Sequence, residues 1–291
     1  SEKLIVIPDG FLNYLPFELL YDNDKSAFLM QQQVLSYDYS LPIWLFNRSN
    51  SIKVENNKLI AFSPDYNYHS DNEKRVRLSD LKFAKKEAKE VAALFKGTCY
   101  SNKAATKQQF LNAIDDYGLF HFSMHSLLNE SDFNQSCLVF ANDEKLYFSE
   151  LYGMDFPAKM AVLSACDAGN GTLKSGEGVM SISRALAYAG VQSSVYSLWQ
   201  VPDKETAEIM VLFYEHLKKG QSKDEALSNA KRIFVKKNPL KQHPYYWAGF
   251  VVNGNMSPIV TENTWWMYIL LTAILLLLFF ILRKRKSIQF L

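Results

Sequence analysis

Three observations predict an α/β fold built on a mainly parallel sheet with helices on both faces. Short apolar runs alternate with amphipathic stretches of helical period, several runs are apolar at almost every position, and glycines follow two of the amphipathic stretches. In chain order the strand candidates are "KLIVIP", "KLIAFSP", "YGLFHFSMH", "CLVFA", "KMAVLSA", "SSVYSLW" and "YWAGFVVNG". Helix candidates run from Leu81 to Phe95, Lys107 to Asp115, Gly178 to Ala189, Lys204 to Lys219 and Lys223 to Lys236, with Gly190 and Gly220 as C-terminal stops. "SKDEAL" sets Ser222 three residues before Glu225, the spacing of a capping box. The polar segment from Tyr66 to Arg77 reads as an exposed loop.

With 291 residues and 48% hydrophobic content, the chain can bury one large core or two smaller ones. Basic and acidic residues nearly balance, 32 against 30, and four of the positives form the run Arg283, Lys284, Arg285, Lys286. The rest lacks the clustered positive charge of a nucleic-acid surface, so no nucleic-acid partner is expected. Near the C-terminus, "TWWMYILLTAILLLLFFILRKRKS" is apolar and uncharged from Trp265 to Leu282, with aromatics at one end and bases at the other. Length and flanks predict one transmembrane helix over 265–282, a linker over 257–264 and a basic tail over 283–291. The membrane would then be a partner, with the tail cytoplasmic and the globular domain extracytoplasmic. Such a topology calls for an upstream signal peptide, and the first residue is Ser rather than Met. The expectation is therefore a longer native protein.

Cys99, Cys137 and Cys166 form no CxxC pair and no Cys/His cluster, so neither a structural zinc nor any other cofactor is expected. His121 and His125 have HxxxH spacing but lie in a strand, where residues four apart are separated by roughly 13 Å, too far to share one metal. The run from Gly171 to Gly178 lacks the spacing of a phosphate-binding loop. Cys166 sits differently from a core thiol. It ends the apolar run "MAVLSA" and is followed by an acid and small residues. His125 closes "LFHFSM" in the same way. Reactive groups in parallel sheets gather beyond the carboxyl ends of strands, and neighbouring strands lie about 4.8 Å apart. An imidazole there can take the proton of a facing thiol and leave a thiolate nucleophile.

"LIVIPDGFLNYLPFELL", "FHFSMHS", "VLSACDAGNGTLKSGEGVMSISRALAYAGVQSSVYSLWQVPD", "EALSNAKRIF" and "HPYYWAGFVVNG" occur in the order expected of a CHAT domain, which the chain resembles from Lys3 to Gly254. The resemblance implies a caspase-like three-layer αβα sandwich over residues 1–256, lacking the segment that usually precedes "LIVIPDG". It also implies a clan CD cysteine peptidase dyad, His125 and Cys166, and tetratricopeptide repeats upstream as a partner. Two positions depart from the family pattern: Ser126 replaces the usual Gly after the His, and Asp167-Ala168 replaces Glu-Thr after the Cys.

The reading that results is a membrane-anchored cysteine endopeptidase acting on protein or peptide substrates. Cys166 is the expected nucleophile and His125 the base. Backbone N–H groups of Ser126 and Cys166 are the expected oxyanion donors. Ser197 to Trp199 would form a wall of the S1 pocket. Asp203 reads equally as an N-cap and as a pocket acid selecting a basic P1 side chain. Glu177 is divided between helix-start charge and the same pocket role. His121 is expected to pack in support. The alternative is a catalytically silent scaffold that keeps the sheet and loses the chemistry.

Overall fold

The computed structural model describes residues 2–8, 10–49, 56–66, 78–79, 81–129, 135–164 and 176–260. The chain divides into Ser1–Ile259, which holds every element below, and Val260–Leu291. In chain order the strands are β1 (Lys3–Val6), β2 (Tyr21–Asp22), β3 (Ala27–Phe28), β4 (Val34–Tyr37), β5 (Leu59–Ser63), β6 (Thr98–Ser101), β7 (Leu119–Phe122), β8 (Ser126–Leu127), β9 (Cys137–Val139), β10 (Lys145–Tyr147), β11 (Met160–Leu163), β12 (Ser193–Ser197) and β13 (Phe250–Gly254). The helices are α1 (Leu29–Gln32), α2 (Leu41–Ser49), α3 (Ala84–Leu94), α4 (Lys107–Ala113), α5 (Phe148–Leu151), α6 (Gly176–Tyr188), α7 (Asp203–Lys218) and α8 (Lys223–Lys237).

Eight strands form the main sheet in the order β1-β4-β13-β12-β11-β7-β5-β6. Neighbours run parallel throughout, except that β12 and β13 are antiparallel. The sheet is thus two parallel blocks of opposite direction, joined at that one pair. Side chains alternate across it as a two-residue period requires. Phe120 and Phe122 of β7 pack edge-on against Phe110 of α4, in the same cluster as Ile182, Ala185 and Leu186 of α6. His121, between them in sequence, turns to the other face and meets Glu87 of α3 and Tyr214 of α7. Helices therefore cover both faces, and β5, β7 and β11 are buried at every position.

Local chemistry sets the ends of the helices. Gly190 and Gly220 adopt φ of +106° and +80° just beyond α6 and α7, the left-handed turn that ends a helix. At the start of α8, the Ser222 N–H donates to Glu225 Oε2 at 3.2 Å, closing the predicted capping box.

Three expectations are corrected. "CLVFA" does not join the main sheet: β9 is the centre of a separate antiparallel sheet of order β10-β9-β8. The cause is a tight turn, in which Asn142 and Asp143 hold φ of +61° and +60°, a conformation that suits those residues and folds β9 directly back onto β10. Tyr66, assigned to an exposed loop, is buried; residues 67–77 lie outside the described ones. Among the described residues, no helix is long and apolar enough to cross a membrane. That corrects the fold expected with a C-terminal transmembrane helix, and with it the single-pass localisation, the cytoplasmic tail and the membrane as a partner. The stretch on which these rested, Trp265 to Leu282, lies outside the described residues.

Candidate active site

The chain leaves β5 toward β6 on one side and later leaves β7 toward β11 on the other, so the carboxyl ends of the neighbours β5 and β7 form a topological switch point, where open α/β sheets place their sites. β11 lies next to β7, with Leu163 opposite Phe122. His125 is three residues beyond Phe122, and Cys166 is three residues beyond Leu163. Counted along the sequence, the two therefore stand the same number of residues beyond a paired position. Cys166 itself, in the segment 165–175, lies outside the described residues.

His125 is held on three sides. Its backbone N–H donates to the Tyr66 hydroxyl at 2.9 Å, and that hydroxyl donates to the Val139 carbonyl at 2.8 Å. The two rings lie 4.7 Å apart at an interplanar angle of 59°. Nε2 of His125 is 2.7 Å from the carbonyl oxygen of Ser79. A carbonyl can only accept, so Nε2 carries the proton, and in the neutral ring Nδ1 is the basic nitrogen. The imidazole is nearly inaccessible to solvent, at 1% exposure.

Ser126 opens β8, the edge strand of the small sheet. It stands opposite Leu138, while the Val139 N–H donates to the His125 carbonyl at 3.0 Å. In an antiparallel ladder this makes Ser126–Leu138 a non-hydrogen-bonded pair, so the Ser126 N–H points away from β9. Its Oγ is buried and has no hydrogen-bond partner among the described residues.

The predicted pocket residues are distributed around the adjoining strand ends. Ser197 closes β12 and donates through Oγ to the Trp199 carbonyl, while Trp199 Nε1 donates to the Tyr245 carbonyl at 2.9 Å. Gly249 makes this packing possible. A Cβ there would lie 2.8 Å from Ser197 Oγ, closer than a Cβ tolerates, and 3.1 Å from Trp199 Cε2, a tight contact. Asp203 is not the N-cap of α7: Pro202 occupies that position with no side-chain cap bond. The Asp203 carboxylate instead accepts from the Phe83 N–H at 2.6 Å, tying the start of α7 to the start of α3. Burial raises its pKa above the usual carboxylate range, opposed by the Phe83 N–H and reinforced by Glu87, while His125 pulls it down. Asp203 thus lies within electrostatic reach of His125. Glu177 is the second residue of α6, and its side chain lies outside what is described.

Residues 1–255 match the CHAT domain family over most of the chain's length. The chain belongs to the CHAT domain family. Over 107 residues it is 30% identical to human tetratricopeptide repeat protein 28 and 29% identical to the mouse protein, a stretch covering 37% of this chain and 4% of each relative. Among solved structures it resembles gingipain R, described as an Arg-specific cysteine proteinase, with a TM-score of 0.52 at 12% identity over 84% of this chain and 58% of that one. A complex of Porphyromonas gingivalis RgpB pro- and mature domains gives a TM-score of 0.51 at 11% identity, over 78% and 56% of the respective chains. At such identities the likeness shows the fold, a caspase-like α/β arrangement shared with cysteine peptidases.

The CHAT domain also carries polar residues at the strand ends that the sequence reading passed over. His121, expected only to pack, is fully buried and hydrogen-bonded to Glu87, Ser123 and Tyr214. Ser123 in turn meets Ser164 of the Cys166 strand at 3.1 Å. The sequence held one signal, a Ser two residues before each expected dyad position in "FSMH" and "LSAC". Tyr66 and the Ser79 carbonyl had none, because their role depends on tertiary contact. Among the described residues, no group of three or more His, Cys, Asp or Glu side chains could hold a metal ion.

Proposed function

We propose that this CHAT domain is a cysteine endopeptidase with Cys166 as nucleophile and His125 as general base and then acid. The observation that carries the reading is the Ser79 carbonyl on His125 Nε2, which leaves Nδ1 as the basic nitrogen at the carboxyl end of the strand neighbouring that of Cys166. Nδ1 takes the thiol proton, and the thiolate adds to the scissile carbonyl. Backbone N–H groups of Ser126 and Cys166 stabilise the oxyanion, a role that the Ser126 N–H is free to take because the β8–β9 ladder does not use it. Collapse expels the amine, which takes the proton from the imidazolium. Water, deprotonated by Nδ1, then releases the acyl group and restores the thiol.

Substrates in this reading are proteins or extended peptides, with Ser197 and Trp199 forming the wall of S1 and Gly249 holding them in place. A basic P1 residue is the proposed preference, with Asp203 and Glu177 as the acids that select it. A tetratricopeptide-repeat region in the same polypeptide would present the substrate, a partner suggested by the curated relatives. A panel of peptide substrates differing only at P1 tests both levels. The proposal predicts cleavage after Arg or Lys that Cys166→Ala abolishes, and a reduced Arg/Leu ratio in Asp203→Asn. Cleavage unaffected by Cys166→Ala would remove the nucleophile assignment, and an unchanged ratio would remove Asp203 from the pocket.

A further inference from the structure

A polar chain runs beneath the ends of the two dyad strands. Tyr214 OH is 3.2 Å from His121 Nδ1, and His121 Nε2 is 2.8 Å from Glu87 Oε1 and 2.9 Å from Ser123 Oγ. Ser123 Oγ is 3.1 Å from Ser164 Oγ, which is 3.4 Å from the Phe122 carbonyl. All five side chains are buried. Burial, and then Glu87, push the Tyr214 hydroxyl well above its ordinary pKa, so it keeps its proton and can donate to an unprotonated Nδ1. The Glu87 carboxylate can only accept, so Nε2 of His121 carries a proton, shared between Glu87 and Ser123. The Ser123 hydroxyl then donates to Ser164, and the Ser164 hydroxyl to Phe122. Every donor finds an acceptor, and the chain has one direction.

Buried polar groups arranged this way confer little net stability compared with well-packed apolar residues, and a half-satisfied set is worse than none. What this chain does distinctively is pin Ser164 to Ser123, side chain to side chain. Each of these serines lies two residues before a dyad residue. We infer that His121, with Glu87, Ser123 and Ser164, is a positioning device that holds the Cys166 and His125 strand ends at a common depth. The inference rests on the proposed peptidase reading, and it deepens it: misplacement by about 1 Å can cost roughly 100-fold in rate.

The test compares Ser164→Ala, Ser164→Thr and His121→Leu with the parent chain, with fold integrity checked by circular dichroism and thermal unfolding. Inactivation by a peptidyl acyloxymethyl ketone should slow by about 10-fold or more in Ser164→Ala, with the inactivator's KI unchanged, and should recover largely in Ser164→Thr. Alkylation of Cys166 by iodoacetamide, followed against pH by mass spectrometry, needs no catalysis and should show a thiolate midpoint displaced upward in Ser164→Ala. If the parent resists the ketone, the peptidase reading fails, and a displaced midpoint would still uphold the positioning role. A well-folded Ser164→Ala chain with unchanged inactivation rate and midpoint would overturn the inference. If His121→Leu fails to fold, Ser164→Ala alone decides.

Discussion

The two blocks of the main sheet manage buried polarity in opposite ways. In the block β6-β5-β7-β11-β12, a relay of imidazole and hydroxyls runs from Tyr214 to the Phe122 carbonyl, anchored on one carboxylate, Glu87. In the block β13-β4-β1, a direct ion pair does the work: Lys231 of α8 meets Glu18 at 2.9 Å, and the Tyr37 hydroxyl of β4 donates to the same carboxylate. Burial, with Glu18 close by, drives the Tyr37 pKa upward, so it remains a donor. The ion pair fastens a segment whose strand is poorly covered, since Leu4 and Ile5 of β1 are 38% and 44% exposed. The relay lies where the strands are already fully buried and need no fastening. One cluster therefore serves cohesion, and the other serves alignment of whatever the strand ends carry.

Breaking the ion pair should have the largest effect on stability. Lys231→Ala leaves the Glu18 carboxylate buried without its cation and should cost about 3–5 kcal/mol in urea-induced unfolding. The surviving native fraction should keep its rate of reaction with a peptidyl inactivator. A proportionate loss of that rate would erase the distinction between the blocks. Tyr66→Phe comes next. It removes the acceptor for the His125 N–H just beyond β7 and the donor to the Val139 carbonyl of β9, which tie the first block to the small sheet. We expect a loss of about 1–3 kcal/mol, accompanied by a fall in inactivation rate greater than stability explains.

Gly249→Ala should change stability and recognition together, because the added methyl meets Ser197 and Trp199. Peptide cleavage assays should show KM rising more than kcat falls. A pH-dependent effect concerns Lys223, buried in α8, whose ammonium donates to the Asn255 and Ser257 carbonyls. Burial, and then Lys159, lower its pKa to about 7 from the model-peptide value of 10.5. Between these values the unfolded chain binds the proton and the folded chain does not, so stability rises with pH across the window. Thermal unfolding from pH 7 to 9 should show that rise in the parent and a flatter curve in Lys223→Met, with the thiols common to both chains contributing equally.

Much of this architecture was legible in the sequence because periodicity reports burial. Runs such as "KLIAFSP" and "KMAVLSA" read as doubly covered strands, and Ser222 and Glu225 marked the start of α8. β9 was legible as a strand, but its sheet was not, because an apolar tripeptide looks alike in either sheet and the Asn142-Asp143 turn decides the matter. β4 and β6 escaped notice because "VLSY" and "TCYS" mix polar and apolar positions, and tertiary context settled them. The strand-end rule put His125 just beyond a strand, and it lies three residues past β7. The Ser79 carbonyl and Tyr66 hydroxyl that hold it come from distant segments, and no spacing along the chain encodes such contacts.

The central claim is that Cys166 is an activated nucleophile paired with His125. The most direct measurement exposes the full chain to a peptidyl acyloxymethyl ketone with Arg at P1 and maps the adduct by peptide mass spectrometry. The account predicts a single adduct on Cys166, lost in Cys166→Ala and slowed by at least about 100-fold in His125→Ala. Labelling of Cys99 or Cys137 at equal rates, or labelling of Cys166 unchanged in His125→Ala, would contradict it.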